Sequence, residues 1–400
     1  MNFSLYIAKR YLVSKSSNNA INIITIIAAL GIVVATAVLF VVLSGFSGLK
    51  EFSISFYKIA DPDIKVSAVY GKTFHFTPAL EQQITTQTDI QSYSKILEER
   101  AFFKHRNKQH IAYIKGVDTH YLEVVKLDSA LISGKWLNPE FPYGVVVGNV
   151  IANKLSLGVD YLEPLSIYIP KPGVTYAITN PSALVHSIDT RCIGIFSIID
   201  DIDSKYVFAN LPVAQELLEY PLDQISAIAI QLKPDVDATI FAKKLQQELG
   251  DTFKVQTRAQ LNAVFYKMLN TENLVLYFIF TLVLIIALFN IIGAIIMMIL
   301  DKKDNLKTLL DLGVEIEDLK RIFVYQGFLL ILIGLVLGLV LGSFLVFIQD
   351  RYHLFMINEL LAYPVIYNFK NLLIVIGTML VLGFFSAKIA SSRLSVKLLS

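Results

Sequence analysis

Four stretches of this chain run for most of a membrane span or more without a charged side chain. No Asp, Glu, Lys or Arg stands between Lys15 and Lys50, between Glu272 and Asp301, from Ile322 to Gln349, or from Asn371 to Ala387. Within the first, Ile21 to Leu43 is the most apolar part. A bilayer core of about 30 Å takes roughly 20 helical residues. Three of the runs clear that length. The fourth is shorter, with Lys370 and Lys388 placed to snorkel from its ends. Soluble helices of this length keep a polar face, and these do not. The pattern predicts four transmembrane helices rather than the core of a large soluble protein. The first run is too long for the apolar part of a cleavable signal, and no small-x-small site follows it.

Between the first two runs, residues 50–270, the pattern changes to that of a mixed α/β domain. Ile64, Val66 and Ala68 alternate as in a strand. Pro78 to Thr85 reads as a helix with Thr77 as N-cap and Pro78 at its first position. The segments HIAYIKGVD, LSIYIP, TRCIGIFSI and ISAIAIQLK are rich in β-branched residues and read as strands. Asp235 to Leu249 has helical spacing and stops at Gly250. FKVQTR then reads as a strand, and 259–270 as a helix leading into the second span. The two ends of this region resemble βαβ pieces, and its middle, about 105–225, is richer in strands. The expectation is one α+β subdomain with a β-rich second one inserted. The chain then divides into 1–49 (an amphipathic segment and the first span), 50–270, and 271–400 with three spans.

Composition sharpens this picture. Charged residues are 17% of the chain and mean hydropathy is +0.58, against roughly 25% charge in an ordinary globular protein. A net charge of +2 does not point to nucleic acid. The single cysteine, Cys192, excludes an intramolecular disulfide. Orientation follows from Lys and Arg in the short flanks. Lys9, Arg10 and Lys15 precede the first span. Lys302, Lys303, Lys307, Lys320 and Arg321 crowd the 301–321 connection, and Lys388, Arg393 and Lys397 the tail. The 350–370 connection has only Arg351 and Lys370. The N-terminus, the 301–321 connection and the C-terminus are therefore expected on the cytoplasmic side, and 50–270 on the other.

Familiar reaction chemistry is missing. Gly71-Lys72-Thr73 lacks the earlier glycine a phosphate loop needs, because that position is Val66. His105 and His110 are too far apart for a metal pair on one helix face. Asp200, Asp201 and Asp203 lack the glycine and closing glutamate of a calcium loop. No catalytic residue and no metal site are expected. No span carries an acid or base at its centre, which disfavours ion-coupled transport.

Three other features do suggest work. Gly334, Gly338 and Gly342 form a small-residue stripe on the third span, and Gly31 with Ala35 a second on the first, so close helix packing is expected at both. IPKPGVTYAITNPSALVHSIDTRC, with Pro170, Pro172 and Pro181, reads as a long proline-stiffened hairpin tip between two strands. FNIIGAIIMMILDKKDNLKTLLDLGV leaves the apolar phase at Asp301–Asp304, makes a short leucine-spaced helix and returns to an apolar run after Gly313.

One span, a large domain, then three spans with a charged hairpin resembles the permease subunits of the FtsX/MacB-like ABC transporters. Within them the chain is most similar to the lipoprotein-releasing LolC/LolE family. Leu43, Ser44 and Gly48 match that family's exit from the first span. Phe289-Asn290-Ile291, Met298, Lys303, Leu310, Gly313, Phe323 and Gln326-Gly327 fall in register with its most specific stretch, and VVVGNVIANKLSLGV and IGIF with its inserted subdomain. The tail departs, with Ser386-Ala387 and Leu394–Leu398 where the family has Pro-Ala and Asp-Pro-x-x-Ala-Leu.

The resemblance implies the rest. The chain would bind no cofactor itself; ATP and magnesium would sit on a separate ABC ATPase subunit, two copies per complex. The 301–321 segment would be a coupling helix docking on that ATPase through Lys303, Asp304, Leu306, Lys307, Leu309, Leu310 and Gly313. A second permease copy or a sister permease would complete the membrane part. Lipoprotein acyl chains would enter a cavity lined by Val42, Phe46, Met268 and Tyr277. A periplasmic lipoprotein carrier would be recruited by a hook at 171–186, with Lys171, Pro172, Gly173, Val174, Tyr176, Ile178, Pro181 and Leu184 in contact. The site would be the bacterial inner membrane, in contact with its lipids. Alternative readings are a MacB-like efflux permease and an FtsX-like regulator of a cell-wall hydrolase.

The orientation is testable directly. In a Cys192→Ser background, single cysteines at Asn305 and Ser400 should be protected from a membrane-impermeant thiol reagent in intact cells, and one at Asp201 should be labelled. Labelling at Asn305 before lysis would overturn it.

Overall fold

The charge-free runs form long helices, and the region between the first two forms a sheet with helices on it. The computed structural model describes residues 3–13, 19–160, 163–171, 185–358 and 361–394. In chain order the elements begin with α1 (Phe3–Val13), α2 (Asn19–Ala60), β1 (Ile64–Ala68), β2 (Phe74–His75), α3 (Pro78–Thr85), β3 (Ile90–His105), β4 (Lys108–Val117) and α4 (Tyr121–Val124). Next come β5 (Leu131–Gly134), β6 (Gly144–Gly148), α5 (Asn149–Leu155), β7 (Leu165–Pro170), β8 (Val185–Phe196), α6 (Asp200–Asp203), β9 (Tyr206–Asn210), α7 (Leu211–Leu218), β10 (Gln224–Ile225) and β11 (Ala227–Leu232). The last are α8 (Ala238–Leu249), β12 (Phe253–Thr257), α9 (Arg258–Leu261), α10 (Ala263–Asp301), α11 (Lys303–Asp311), α12 (Ile316–Tyr352), β13 (Met356–Asn358), β14 (Leu361–Ala362) and α13 (Phe369–Ser391). The chain divides into a helical unit, 1–52 with 267–400, and an α+β unit, 53–266.

Among the described residues four helices are long and apolar enough to cross a membrane: Asn22–Ala60, Ala263–Asp301, Ile316–Tyr352 and Phe369–Ser391. The helical unit is held by close helix contacts at glycine. A Cβ on Gly338 would stand 2.6 Å from the Thr36 Cβ and 2.7 Å from the Val33 carbonyl oxygen on α2. One on Gly334 would meet Ile32 at 2.7 Å, and one on Gly342 the Ala37 carbonyl oxygen and the Phe40 ring at 3.2 Å. The stripe on α12 is therefore the seat of α2. Gly31 has nothing within 4 Å of where its Cβ would lie and takes no part in this contact. Gly327 plays the same role between α10 and α13, where a Cβ would meet Ile295 at 2.5 Å and Ala387 at 3.0 Å.

The α+β unit carries a ten-stranded sheet in the order β12-β1-β11-β3-β4-β9-β6-β8-β5, with β7 pairing β3 and β8. Its β12-β1-β11-β3 portion is antiparallel throughout, with α3 between β1 and β3 and α8 between β11 and β12. This is the split β-α-β arrangement, interrupted between its second and third strands by residues 106–226. β3 is long enough to serve both halves. Its first part pairs β11 and its last part pairs β7, while β4 runs beside it from Ile96↔Val117 to His105↔Lys108.

Both faces of the sheet are covered, which explains the unbroken apolar run of β6. Val145 and Val147 join the core that includes Leu80, Ile84, Leu217, Phe241 and Leu245. Val146 joins the opposite core with Tyr57, Tyr121, Phe196 and Phe208. In that second core the Lys115 ammonium lies over the rings of Tyr206, Tyr121 and Phe208, 4.9, 5.3 and 5.6 Å from their centroids. Glu98 is its cross-strand partner. Burial pushes the Glu98 carboxyl up, but Lys65, Lys115 and Lys205 together hold it below the ordinary glutamate value.

Two helix boundaries differ from the sequence reading. α8 starts at Ala238 rather than 235, because the Asp237 carboxylate accepts from the Thr239 and Ile240 amides and so makes itself the N-cap. The helix expected over 259–270 is broken at Asn262 (φ −107°, ψ 35°), whose amide donates to the Asp61 carboxylate at 2.7 Å and to the Arg258 carbonyl at 3.2 Å.

Gly338→Val should destabilise the detergent-solubilised protein by about 1–3 kcal/mol, because one obstacle is backbone and cannot rotate away. Gly377→Ala, which meets nothing within 4 Å, should be neutral or slightly stabilising. Thermal unfolding of the two variants checks this, and equal midpoints would show that the stripe is not the seat.

Candidate functional site

Two places in the helical unit combine specific geometry with surfaces open to a ligand or partner. The first is an apolar pocket of about 640 Å³. α2 lines it with Val42, Gly45 and Phe46, α10 with Leu276 and Phe280, and α12 with Leu345 and Val346. The α12–α13 connection closes it with Phe355, Tyr363 and Val365.

That connection is held in place by buried amides. The Gln349 side chain donates to the carbonyls of Phe355 (2.9 Å) and Tyr363 (3.0 Å) and accepts from the Phe355 amide (2.8 Å). Both ends of the amide are thereby spent on backbone, so a buried polar group costs the pocket little of its apolar character. β13 and β14 pair antiparallel within the same segment. The segment also clasps α2 where the first span ends. The Ile366 backbone amide donates to the Ser44 carbonyl (3.1 Å), and just beyond it, on α13, the Asn371 side-chain amide donates to the Leu43 carbonyl (3.0 Å) and the Ser47 hydroxyl (2.8 Å). A Cβ on Gly48 would lie 2.3 Å from the Pro364 carbonyl oxygen, so only glycine lets the two backbones meet.

Of the four residues expected to line a cavity, the structure brings Val42 and Phe46 together in this pocket. Tyr277 instead points to α13, with its hydroxyl 2.9 Å from that of Thr378. Met268 is half exposed near the start of α10. Sequence spacing did not point to Gln349 or the 353–366 segment. Their signal is faint, a lone amide at the end of an apolar run and a short connection without charge between Arg351 and Glu359 other than His353.

The second place is the short helix α11. Leu306 is fully buried in the core of the helical unit, and Leu309 and Leu310 are half-buried against the same core. The apolar face predicted from leucine spacing thus fastens α11 to its own unit. The face left to a partner carries Asp304, Lys307, Thr308, Asp311 and Leu312, the last 76% exposed; Lys303 is half-buried. Gly313 has φ 92°, and the Gly313 and Val314 amides close the helix onto Leu310 and Leu309 carbonyls. A left-handed residue at that place is the usual helix stop.

In the α+β unit, β7 and β8 pair antiparallel as far as Pro170↔Val185. Lys171 continues from the β7 end of this stem and is half-buried. Pro172, Gly173, Val174, Tyr176, Ile178, Pro181 and Leu184 lie outside the described residues. Among the described residues no three His, Cys, Asp or Glu side chains gather as metal ligands. Cys192 is buried, and burial pushes its thiol up to about 11.

Comparison with known proteins places the chain. The family model for the MacB-like periplasmic core domain matches residues 25–248, more than half of it. The chain belongs to the FtsX/MacB-like permeases. The FtsX-like permease C-terminal model matches residues 277–397, which takes in α11, α12 and the 353–366 connection. The lipoprotein-releasing system transmembrane protein LolE of Haemophilus influenzae is 24% identical over 86% of this chain and 82% of that protein. LolC of Xylella fastidiosa is 23% identical over 87% and 83%. A solved structure, the periplasmic region of MacB from Actinobacillus actinomycetemcomitans, is 15% identical, covers 51% of this chain and 92% of its own, and has a TM-score of 0.36. This FtsX/MacB-like permease is thus an ABC-transporter permease, a multi-pass membrane protein with a MacB-like periplasmic core domain, and is similar over most of its length to LolE and LolC.

The two faces of α11 separate by stability. Leu306→Ala should cost about 2–5 kcal/mol. Leu312→Asp should stay within about 0.5 kcal/mol of the parent. Thermal or denaturant unfolding of the purified permease measures both, and similar losses would mean that α11 does not lie on its leucine face.

Proposed function

We propose that this permease extracts lipoproteins from the bacterial inner membrane and passes them to a periplasmic carrier, driven by a separate ABC ATPase. In this reading α11 and both termini are cytoplasmic, the α+β unit is periplasmic, and four spans cross the bilayer. Two ATPase copies serve a pair of permeases, made with a second copy or a sister chain. ATP and magnesium stay on the ATPase.

The observation that carries the reading is the apolar pocket with Val42 and Phe46 on its wall and its one amide spent on backbone. Its lining suits an acyl chain and offers little to a hydrophilic substrate. Lipid tails are as apolar as such a wall, so moving an acyl chain from bilayer to pocket changes its free energy little. Holding is then easily reversed, and the work of expulsion must enter from outside the pocket. The outward face of α11, Asp304 to Leu312, is where the ATPase would apply it. The 171–186 tip on the β7–β8 stem is the proposed hook for the carrier, on the strength of the LolC/LolE similarity. Met268 and Tyr277 are not needed for the pocket and are left out of it.

A photo-crosslinking amino acid at Val42 or Phe46 tests this. With the ATPase present and cells in growth, both positions should capture acylated proteins, while the same group at Met268 should capture few. Crosslinks only to phospholipid or to non-acylated peptides would favour a MacB-like efflux permease and overturn lipoprotein release.

A further inference from the structure

α1 is a helix with two differently built faces. Ser4 and Ala8 are buried, with Ile7, Tyr11 and Leu12 half-buried beside them. This face docks on α12: the Ser4 hydroxyl donates to the Asp318 carbonyl at 3.3 Å, and the Tyr11 and Phe323 rings lie 6.5 Å apart. Ala8 shares a core with Leu306 of α11 and with Ala390 and Leu394 near the end of α13. α1 is thereby fixed on the first turns of α12, just after α11.

The opposite face is exposed yet not built for water. Phe3, Leu5 and Tyr6 are 45, 44 and 49% exposed, and Lys9 and Arg10 are exposed among them. At 100° per residue the outward order is Leu5, Lys9, Tyr6, Arg10, Phe3, so each cation is flanked by apolar or aromatic side chains. No acid occurs in the chain before Glu51. A solvated face would mix both signs of charge and amides. Among its described side chains this one holds only groups that partition into a lipid headgroup layer: aromatic and aliphatic bodies below it, and cations whose stems can lie along the acyl boundary while their heads reach phosphate.

We infer that the outward face of α1 is an interfacial anchor that binds anionic phospholipid headgroups through Lys9 and Arg10, with Phe3, Leu5 and Tyr6 set into the acyl boundary. The inference rests on the helical unit spanning a bilayer. Because the inner face of α1 grips the first turns of α12, the turns that follow α11, the headgroup layer becomes a fixed support beside the coupling segment. Each cation near an anionic surface contributes about a five-fold preference, so Lys9 and Arg10 suffice for selectivity once the apolar side chains hold the helix in place.

The test uses the full-length permease in bilayers of phosphatidylcholine alone or mixed with phosphatidylglycerol, with an environment-sensitive fluorophore on Leu5→Cys. Cys192, buried and with its thiol raised to about 11, stays unlabelled. Nitroxides near the lipid headgroup should quench the probe, more so in the phosphatidylglycerol bilayers, and aqueous iodide should reach it poorly. Lys9→Gln/Arg10→Gln should remove most of the dependence on phosphatidylglycerol without changing thermal stability. A second probe on Val340→Cys, at an exposed position in α12, reports bilayer depth through nitroxides deep in the acyl chains. Loss of that signal would break the membrane-spanning reading itself. If Val340 responds but Leu5 is open to iodide in every bilayer, or is shielded only after ATPase is added, the anchor is overturned and the face belongs to water or to the ATPase.

Discussion

The backbone contact between α2 and α12 is the constraint on which the helical unit depends. In a bilayer the greasy sides of two helices gain nothing from leaving lipid, because lipid is as apolar as they are. Cohesion must come from dispersion at short range, and that requires the absence of side chains along one seam. Gly334, Gly338 and Gly342 provide it opposite Ile32, Thr36 and Ala37. Gly327 provides the same opening where α10, α12 and α13 meet. With these approaches in place, large apolar residues elsewhere on the helices stay exposed, as Ile26, Leu30 and Val340 do.

The pocket is a consequence of that seam and of how the connection between α12 and α13 returns. The connection between α12 and α13 is not buried, with Leu354 and Phe355 65 and 74% exposed, so hydrogen bonds rather than burial hold it to the helices. Gln349 supplies three of those bonds and α2 receives Ile366 and Asn371 at Ser44 and Leu43. Gly48 lets the backbone of Pro364 and Val365 lie against α2. The same satisfied polar network that fixes the segment therefore leaves an apolar wall with Phe46, Phe355 and Tyr363 around an open volume. A ligand site of this kind can release its occupant without breaking hydrogen bonds.

At the α11 end the logic is reversed. There the leucines are spent on holding a short helix in place, which a nine-residue helix needs because it is only marginally stable by itself. What remains outward is a mixed charged surface and Leu312. The outward side is therefore no large exposed apolar patch of the kind that invites lasting association.

Much of the architecture was legible because a few strong patterns carry it. Runs without charge determine four long helices whatever their neighbours do. Thr77-Pro78 and Gly250 mark helix ends by local chemistry, and the structure keeps α3 at Pro78–Thr85 as read. The β-branched segments became β4, β7, β8 and β11, and the glycine spacing on α12 named its packing face. The resemblance residues Met298, Phe323 and Gln326-Gly327 prove to be packing residues: Phe323 is buried, and the Gln326 amide lies 3.0 Å from the Met298 sulfur. Three things were decided only by the tertiary structure. Gly31 has the same spacing to Ala35 as a packing motif but faces open space, because a helix with apolar residues all round does not say which side meets a partner. The leucines of α11 looked like a docking face and are an attachment, because periodicity identifies an apolar face without identifying what covers it. Val42 and Phe46 share a pocket with residues some 300 positions later, while Tyr277 turns away to Thr378; spacing along the chain has no term for contacts made by the return of a distant connection. Local order was written in the sequence, and the choice of neighbour was settled by packing.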